Sequence, residues 1–324
     1  MKPFIKKTLF LLIPIILAIF AMDIWLRNMN TLYKEKYSGA IKAKDSIEIL
    51  ILGNSHSNYG VDPTEFSMYA YNIANVSQSL YFDIRITESL SGSLPKLKYV
   101  FISIDFHSLY FSSQGLYDYW SYYGNGIKYK DKSYLACEIS PFFFGYTPIV
   151  AKAKLKRKLL YLFSGKKNII NFEVETGVNI TDTIKHGFIS FEKPDYSLHN
   201  ISEYQKTATR FNNTVKSKEH KEVFEDLSGF IERLKQKKIC PILFSPATYS
   251  EYNDLLDKNT IKQNHDYIEI LKKKFGIEYW QFYNDPDFVK EDFYNCDHLN
   301  KKGAKKLAKK MNDKLTSYIS ATSK

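Results

Sequence analysis

A serine near the start of the chain and a histidine near its end could together carry out nucleophilic catalysis. Ser55 lies in the segment 53–56 (GNSH), directly after a short apolar run, and His298 precedes the last amphipathic segment. A serine hydroxyl is a weak nucleophile until a base removes its proton, and histidine suits that role near neutral pH. The pair predicts acyl transfer through an acyl-Ser55 intermediate.

The residues around this pair allow other interpretations. Gly53 permits a sharp turn after a strand, but a serine at such a position can also simply cap a helix. We interpret His56 as a residue that caps the turn. Cys296 lies two residues before His298 and is an alternative nucleophile. The chain has only three cysteines and no CxxC spacing, so the cysteines indicate neither a metal site nor a disulfide framework.

The segments that must position these residues alternate between strand-like and helical patterns. Short apolar runs predict strands at 46–52, 71–73, 98–105, 239–244 and 277–280, and amphipathic spacing predicts helices at 81–93, 218–237, 262–274 and 302–320. Alternating strands and helices favour a parallel sheet with helices on both faces. The sequence therefore predicts an α/β fold, a three-layer α/β/α sandwich, over residues 46–320.

One long segment, at about 107–202, interrupts this alternation. It is crowded with tyrosine, tryptophan and phenylalanine and contains a basic run at 152–158. We predict an insertion whose aromatic residues pack on the sheet edge. The alternative is a cap over the active site, because planar aromatic faces suit sugar rings as well as they suit cores.

The N-terminal segment 1–27 is typical of an uncleaved membrane anchor. Three lysines precede the uncharged run 8–22, and flanking apolar residues bring the stretch close to the roughly 20 residues that a span needs. It lacks a clean A-x-A cleavage site. The lysines before the run and the lone Arg27 after it place the N-terminus inside and the rest outside the cytoplasmic membrane, periplasmic or extracellular. Residues 28–45, polar and without a period, predict a tether.

Composition limits the function classes. The formal net charge of +11 comes mostly from lysines spread along helical stretches, with no arginine-rich tract, so we expect no nucleic-acid partner. The 44% apolar content is ample for a large core. There is no P-loop and no carboxylate cluster for Mg²⁺, so phosphoryl transfer is disfavoured and we expect neither cofactor nor metal.

Two motifs taken together give a resemblance to a known family. The pairing of GNSH after the first strand with DHLNKKG before the last helix resembles the SGNH/GDSL hydrolase superfamily, which has a flavodoxin-like sandwich. The stretches GVDP and YNIANVSQSLYFD resemble a bacterial membrane-anchored branch linked to cell-surface glycans. The resemblance covers about residues 46–110 and 235–320.

The resemblance implies roles for particular residues. Ser55 would be the nucleophile and His298 the base, while the acid that orients the histidine would stand at the position of Asn295. Asp297 and Asp292 are nearby substitutes, although a residue adjacent to the histidine points elsewhere if the loop is extended. An asparagine can also hold an imidazole by a hydrogen bond.

The two middle blocks that usually supply the oxyanion hole do not match the superfamily. The Ser55 N–H together with Asn75, Ser77 or Gln78 could stabilise the oxyanion. Asp105, after the third strand, could position His107 or a substrate hydroxyl.

Two functions follow as hypotheses. The first is an extracytoplasmic serine esterase or O-acyltransferase acting on envelope or capsular polysaccharide, with a multi-span membrane partner supplying the acyl donor. The second is a catalytically inactive protein on the same scaffold that binds glycan or assists polysaccharide assembly. The departure at Asn295 favours the second, and the intact serine and histidine favour the first.

Overall fold

The computed structural model describes residues 2–27, 32–112, 122, 126–130, 184–216 and 220–322. The chain divides into two compact units, one formed by Met1–Lys34 with Gln114–Thr181 and the other by Glu35–Ser113 with Asp182–Lys324. Every site residue predicted from the sequence lies in the second unit.

The first unit contains helix α1, Lys2–Arg27, which includes Pro14. Apolar side chains along it, such as Phe10 and Leu17, are exposed. Nevertheless, none of the helices in the described part of the chain has both the length and the apolar character required to cross a membrane. The N-terminal anchor stays a prediction.

The segment predicted as a tether is helical over much of its length. Helix α2, Leu32–Lys42, replaces the expected irregular chain, and Lys36 and Ala40 on it are fully buried. The Lys36 ammonium donates to Asn58 Oδ1 and to the carbonyl of Ala74. A buried lysine held by distant acceptors leaves no apolar period in the sequence, which explains why the helix was not predicted.

The second unit is built on five parallel strands in the order β2-β1-β3-β4-β5. Its strands are β1 Ile49–Ile51, β2 Ala70–Asn72, β3 Tyr99–Ser103, β4 Cys240–Ser245 and β5 Glu278–Gln281. Leu50 pairs with Val100, and Ile102 pairs with Leu243. All five strands were predicted, each within a few residues of its observed bounds.

Seven α-helices of the described residues lie wholly within the second unit with this sheet. They are α3 Ser55–Gly60, α4 Leu80–Ser91, α5 Ile201–Thr214, α6 His220–Gln236, α7 Ser250–Asn253, α8 Lys258–Phe275 and α9 Lys301–Thr322. Phe101 and its neighbours on one face pack with Leu307 and Met311 of α9 in a single apolar core. Helix α6 contacts β4, α4 and α8. The α/β class is confirmed, and the arrangement is consistent with the predicted three-layer sandwich.

The strand order determines where a site can form. The chain runs from β1 outward to β2 and then returns across β1 to β3, so the direction of winding reverses between β1 and β3. Ligands of open α/β sheets bind at the carboxyl ends of the strands at such a switch point. Most of the predicted insertion at 107–202, including any cap, falls on residues 113–121, 123–125 and 131–183, which lie outside the described residues.

Candidate active site

The turn after β1 exposes Ser55 because Gly53 adopts a conformation that other residues rarely reach. Gly53 has φ of +132°, and a Cβ there would lie 2.6 Å from Ser103 Cβ and 2.7 Å from Ser57 Oγ. Asn54 then caps α3 by accepting the His56 N–H. The glycine is required both by its backbone angle and by the close approach of β3. Ser55 consequently begins α3 at the carboxyl edge of the sheet.

Ser55 and His298 meet at this edge. The Oγ atom of Ser55 lies 2.8 Å from Nε2 of His298, although the two residues are 243 positions apart. Ser55 is half-buried and the His298 side chain is 15% exposed, so both reach solvent. A nucleophile and a base within hydrogen-bond reach are the arrangement that serine catalysis requires.

Two oxygens face the second ring nitrogen of His298. Its Nδ1 lies 2.9 Å from Asp297 Oδ1 and 3.1 Å from Asn295 Oδ1. Asn295 Oδ1 also accepts the backbone N–H groups of Asp297 and His298. The asparagine therefore curls the loop into a tight turn, and this curl brings the adjacent carboxylate back toward the ring.

Asp292, the other carboxylate proposed from the sequence, has a different role. It ion-pairs with Lys302, at 3.2 Å, and with Lys306. Its carboxylate also accepts the N–H of Val289. Burial raises the pKa of Asp292, but the hydrogen bonds from Lys306, Val289 and Lys302 lower it below the usual value. Asp292 anchors the start of α9, and it is not the group that orients His298.

A buried network that the sequence did not reveal continues behind Asp297. His56 Nδ1 lies 2.6 Å from Asp105 Oδ1, and His56 Nε2 lies 3.5 Å from Asp297 Oδ2. These three side chains are 5% exposed or less. The interpretation of His56 as a residue that caps the turn was therefore wrong, because Asn54 is the cap and the His56 ring contacts two carboxylates. One signal was present in the sequence. An ionisable residue follows each of the two strands that flank the switch point, His56 after β1 and Asp105 after β3.

The network is charged. Burial lowers the pKa of His56, but the charge and hydrogen bond of Asp105, and then those of Asp297, raise it to about 10. Burial raises the pKa of Asp297, yet His298 and then His56 hold it well below the usual range. Burial likewise raises the pKa of Asp105, and the His56 charge lowers it overall. At neutral pH an imidazolium thus lies between two carboxylates.

Asp105 does not position His107, contrary to one prediction. Its Oδ2 accepts from Asn54 Nδ2 at 2.8 Å and from the hydroxyls of Ser103 and Ser108. The Asn54 amide lies between Asp105 and His107 and is 3.4 Å from His107 Nε2. Burial lowers the pKa of His107 to about 3, so this ring is neutral. It stacks on Phe211 of α5 at 4.2 Å between ring centroids.

The three residues proposed for the oxyanion hole occupy different environments. Gln78 Nε2 donates to Asp83 Oδ1 at 2.7 Å, so this amide is committed to the structure beneath the turn. Ser77 is exposed, with φ of +56°. Asn75 donates its N–H to Gly53 O and accepts the Val76 N–H at Oδ1. Asn75 is therefore held directly beside the turn that carries Ser55.

Aromatic side chains and one cation surround the pair. Phe191 stacks on Tyr294 at 3.7 Å between ring centroids, and its centroid is 6.0 Å from that of His298. On helix α5, the Arg210 guanidinium covers the ring of Phe211, and its Nη2 is 3.8 Å from Asp297 Oδ2. Arg210 is 65% exposed, so it offers positive charge at the surface beside the site.

Cys296 is a poor alternative nucleophile. Its side chain is buried in an apolar cluster with Tyr204 and Tyr252. This burial, followed by the charge of Asp297, raises the pKa of the thiol to about 12. Because only the thiolate is strongly nucleophilic, the residue is chemically inert at neutral pH.

Three residues of the network also satisfy the distances of a metal-binding group. Ligand atoms of His56, Asp297 and His298 lie within 4.8 Å of one another. Each ring, however, has a nitrogen bonded elsewhere, His56 Nδ1 to Asp105 and His298 Nε2 to Ser55. The other nitrogen of each ring, His56 Nε2 or His298 Nδ1, contacts Asp297.

No protein-family model matches the chain, and no curated protein matches it. The resemblance drawn from GNSH and DHLNKKG stays a prediction, and the geometry of the site carries the functional argument.

Proposed function

We propose that the protein is a serine esterase or O-acyltransferase that works through an acyl-Ser55 intermediate. The observation that carries this proposal is the 2.8 Å contact between Ser55 Oγ and His298 Nε2, with Asp297 Oδ1 behind the ring at 2.9 Å. Nucleophile, base and orienting carboxylate are the three parts of serine catalysis, and they recur on unrelated folds.

The steps follow from these contacts. His298 Nε2 takes the proton of Ser55 as Oγ attacks the acyl carbonyl carbon. The resulting imidazolium, stabilised by Asp297, gives that proton to the leaving alkoxide oxygen when the ester bond breaks. A water or a sugar hydroxyl then loses its proton to His298 as its oxygen attacks the acyl carbon. The bond between this carbon and Ser55 Oγ breaks, the imidazolium returns the proton to Oγ, and a free acid or an acylated acceptor is released.

Donors for the oxyanion come from the turn. Ser55 is the first residue of α3. Its N–H has no acceptor within the helix, because the N–H groups of the first turn have no carbonyl four residues before them in the helix. The Asn75 side-chain NH₂ forms no hydrogen bond within the described residues, and its backbone is fixed to Gly53. We assign these two as the oxyanion donors, in preference to Gln78. Loss of one such donor typically costs about 100- to 1,000-fold in kcat.

The proposed substrate is an acyl group on envelope or capsular polysaccharide. The support is the sequence: the lysines before the uncharged run 8–22 are typical of a chain anchored with its N-terminus inside and the catalytic unit outside. An anchored enzyme and an anchored polymer would meet on the same surface, where a multi-span membrane partner could deliver the acyl donor.

The test uses the full-length protein with p-nitrophenyl acetate, with and without a polysaccharide acceptor. Ser55→Ala and His298→Ala should each lower kcat/KM by about 1,000-fold or more. Matched controls are Ser250→Ala and His265→Ala, which remove an exposed serine and an exposed histidine on α7 and α8. Both controls should behave as the parent.

Each outcome has a defined meaning. Free acetate alone indicates an esterase, and acetylated polysaccharide indicates a transferase. If the parent turns over no ester, or if Ser55→Ala equals the parent, the catalytic proposal is wrong. Retained glycan binding by an inactive parent would instead support the binding protein.

A further inference from the structure

His56 is adjacent to the proposed nucleophile but faces away from it into the protein. Its two ring nitrogens reach two different carboxylates, Asp105 at 2.6 Å and Asp297 at 3.5 Å. Those carboxylates come from distant parts of the chain, 49 and 241 positions away. The ring thus joins the end of β3 to the loop before α9, directly beneath Ser55.

The charges around His56 make the ring's own charge essential. The ionisable side chains around it are Asp105 and His107 after β3 and Asp297 and His298 before α9, while Arg210 on α5 lies 3.8 Å from Asp297 Oδ2. His107 is neutral, and the side chain of Arg210 is 65% exposed, so its charge is largely screened by solvent. A buried carboxylate that loses its partner is strongly unfavourable.

We propose that His56 is a positioning residue of the active site, a fixed cation that holds the Asp297 carboxylate in the orientation in which it supports His298. This inference rests on the proposed function. It extends the working unit to Asp105, His56, Asp297, His298 and Ser55. His56 does not touch Ser55 Oγ or the acyl group, so it acts only through Asp297.

The geometry of Asp297 explains why such a residue is needed. Its Oδ2 is directed at His56 and its Oδ1 at His298 Nδ1. Asp297 is adjacent to His298, so a small rotation of its carboxyl group would break the contact with the ring. Engagement of Oδ2 by His56 restrains that rotation. Asp105, held by Asn54, Ser103 and Ser108, restrains His56 in turn.

The test compares His56→Gln, Asp105→Asn and the double variant in p-nitrophenyl acetate hydrolysis across pH. His56→Gln should lower kcat by about 10- to 1,000-fold with KM within twofold. The acidic limb of the kcat/KM profile of this variant should move to higher pH. The reason is that the positive charge of the His56 ring, whose centroid lies 4.9 Å from that of His298, is lost. Adding Asp105→Asn removes one uncompensated carboxylate and should recover at least fivefold.

Several results would overturn the inference. An active parent whose His56→Gln variant keeps the same kcat and the same pH profile would do so, as would a double variant that is merely additive. If His56→Gln does not fold, as judged by circular dichroism, the test passes to Asp105→Asn, whose unchanged kcat and profile would count equally against the proposal. A parent without activity contradicts the proposed function instead.

Discussion

The carboxylate of Asp297 lies 2.9 Å from Nδ1 of His298, the residue that follows it in the chain. In an extended loop adjacent side chains point in opposite directions, so this contact requires a curled backbone. Asn295 provides the curl by accepting the N–H groups of both residues. The Asn295 side chain shapes the loop and also contacts His298 Nδ1 at 3.1 Å, and the Asp297 side chain supplies the charge.

This division of roles predicts different losses for Asp297→Asn and Asn295→Ala. Asp297→Asn keeps the shape of the side chain but removes the charge that stabilises the imidazolium, so kcat should fall by about 1,000- to 10,000-fold. Asn295→Ala loosens the loop, and we expect a fall of about 10- to 100-fold, in line with loss of correct geometry. Steady-state kinetics on an activated ester compare the two, and a larger loss for Asn295→Ala would contradict the assignment.

Cys296→Ala should leave catalysis unchanged. The thiol is buried, and its pKa is raised to about 12, so almost none is thiolate at neutral pH. We expect kcat/KM within about twofold of the parent value. A loss comparable to that of Ser55→Ala would mean that the nucleophile is the cysteine.

The stability of the protein should depend on pH through His56. Its pKa in the folded chain is about 10, above the value near 6.5 expected for an unfolded chain. A raised folded-state pKa contributes stability that is complete below about pH 6.5 and is lost as pH rises toward about 10. Urea unfolding of parent and His56→Gln at pH 6, 8 and 10 measures this contribution. The stability difference between the two proteins should be largest at pH 6, and an equal difference at all three values would show that folding does not raise the pKa of His56.

Asp83 should have the opposite effect to His56, because its burial should destabilise the folded protein at neutral pH. Burial raises its pKa to about 7, although it accepts hydrogen bonds from Gln78 and from the Gly53 N–H. Because the folded-state pKa lies above the unfolded value near 3.9, stability falls as pH rises from about 4 to about 7. Asp83→Asn keeps an acceptor oxygen without the charge, so it should be more stable than the parent by roughly 2 kcal/mol at pH 8.

The same substitution should gain little at pH 4, where the parent carboxyl is itself protonated. Thermal or urea unfolding at the two pH values makes the comparison. A variant that is less stable than the parent at pH 8 would show that Gly53 and Gln78 require the ionised carboxylate.

Much of the fold could be predicted because parallel strands are buried on both faces and therefore form continuous apolar runs. The run 239–244 and the strand Cys240–Ser245 illustrate this. The position of Ser55 beside His298 was predicted on the same basis, since both follow segments that end at one edge of the sheet. Helix α2 was missed because its buried face contains Lys36, whose polar partners Asn58 and Ala74 come from elsewhere.

The inner part of the site could not be predicted for a related reason. Asp297 Oδ1 reaches His298 Nδ1 only because of the turn made by Asn295, and His56 gains its partners only when three distant segments meet. Such contacts depend on tertiary distances of a few ångströms, which residue spacing does not encode. The prediction that Asp105 positions His107 was wrong because the Asn54 amide lies between the two side chains.

The central claim is that Ser55 becomes acylated with His298 as its base. Intact-protein mass spectrometry of the full-length protein, quenched in acid within seconds of adding p-nitrophenyl acetate, tests it directly when followed by peptide mapping. We predict a single added acetyl group of about 42 Da, located on Ser55, absent in Ser55→Ala and strongly reduced in His298→Ala. An acetyl group on another residue, or equal labelling of Ser55 in parent and His298→Ala, would contradict the account.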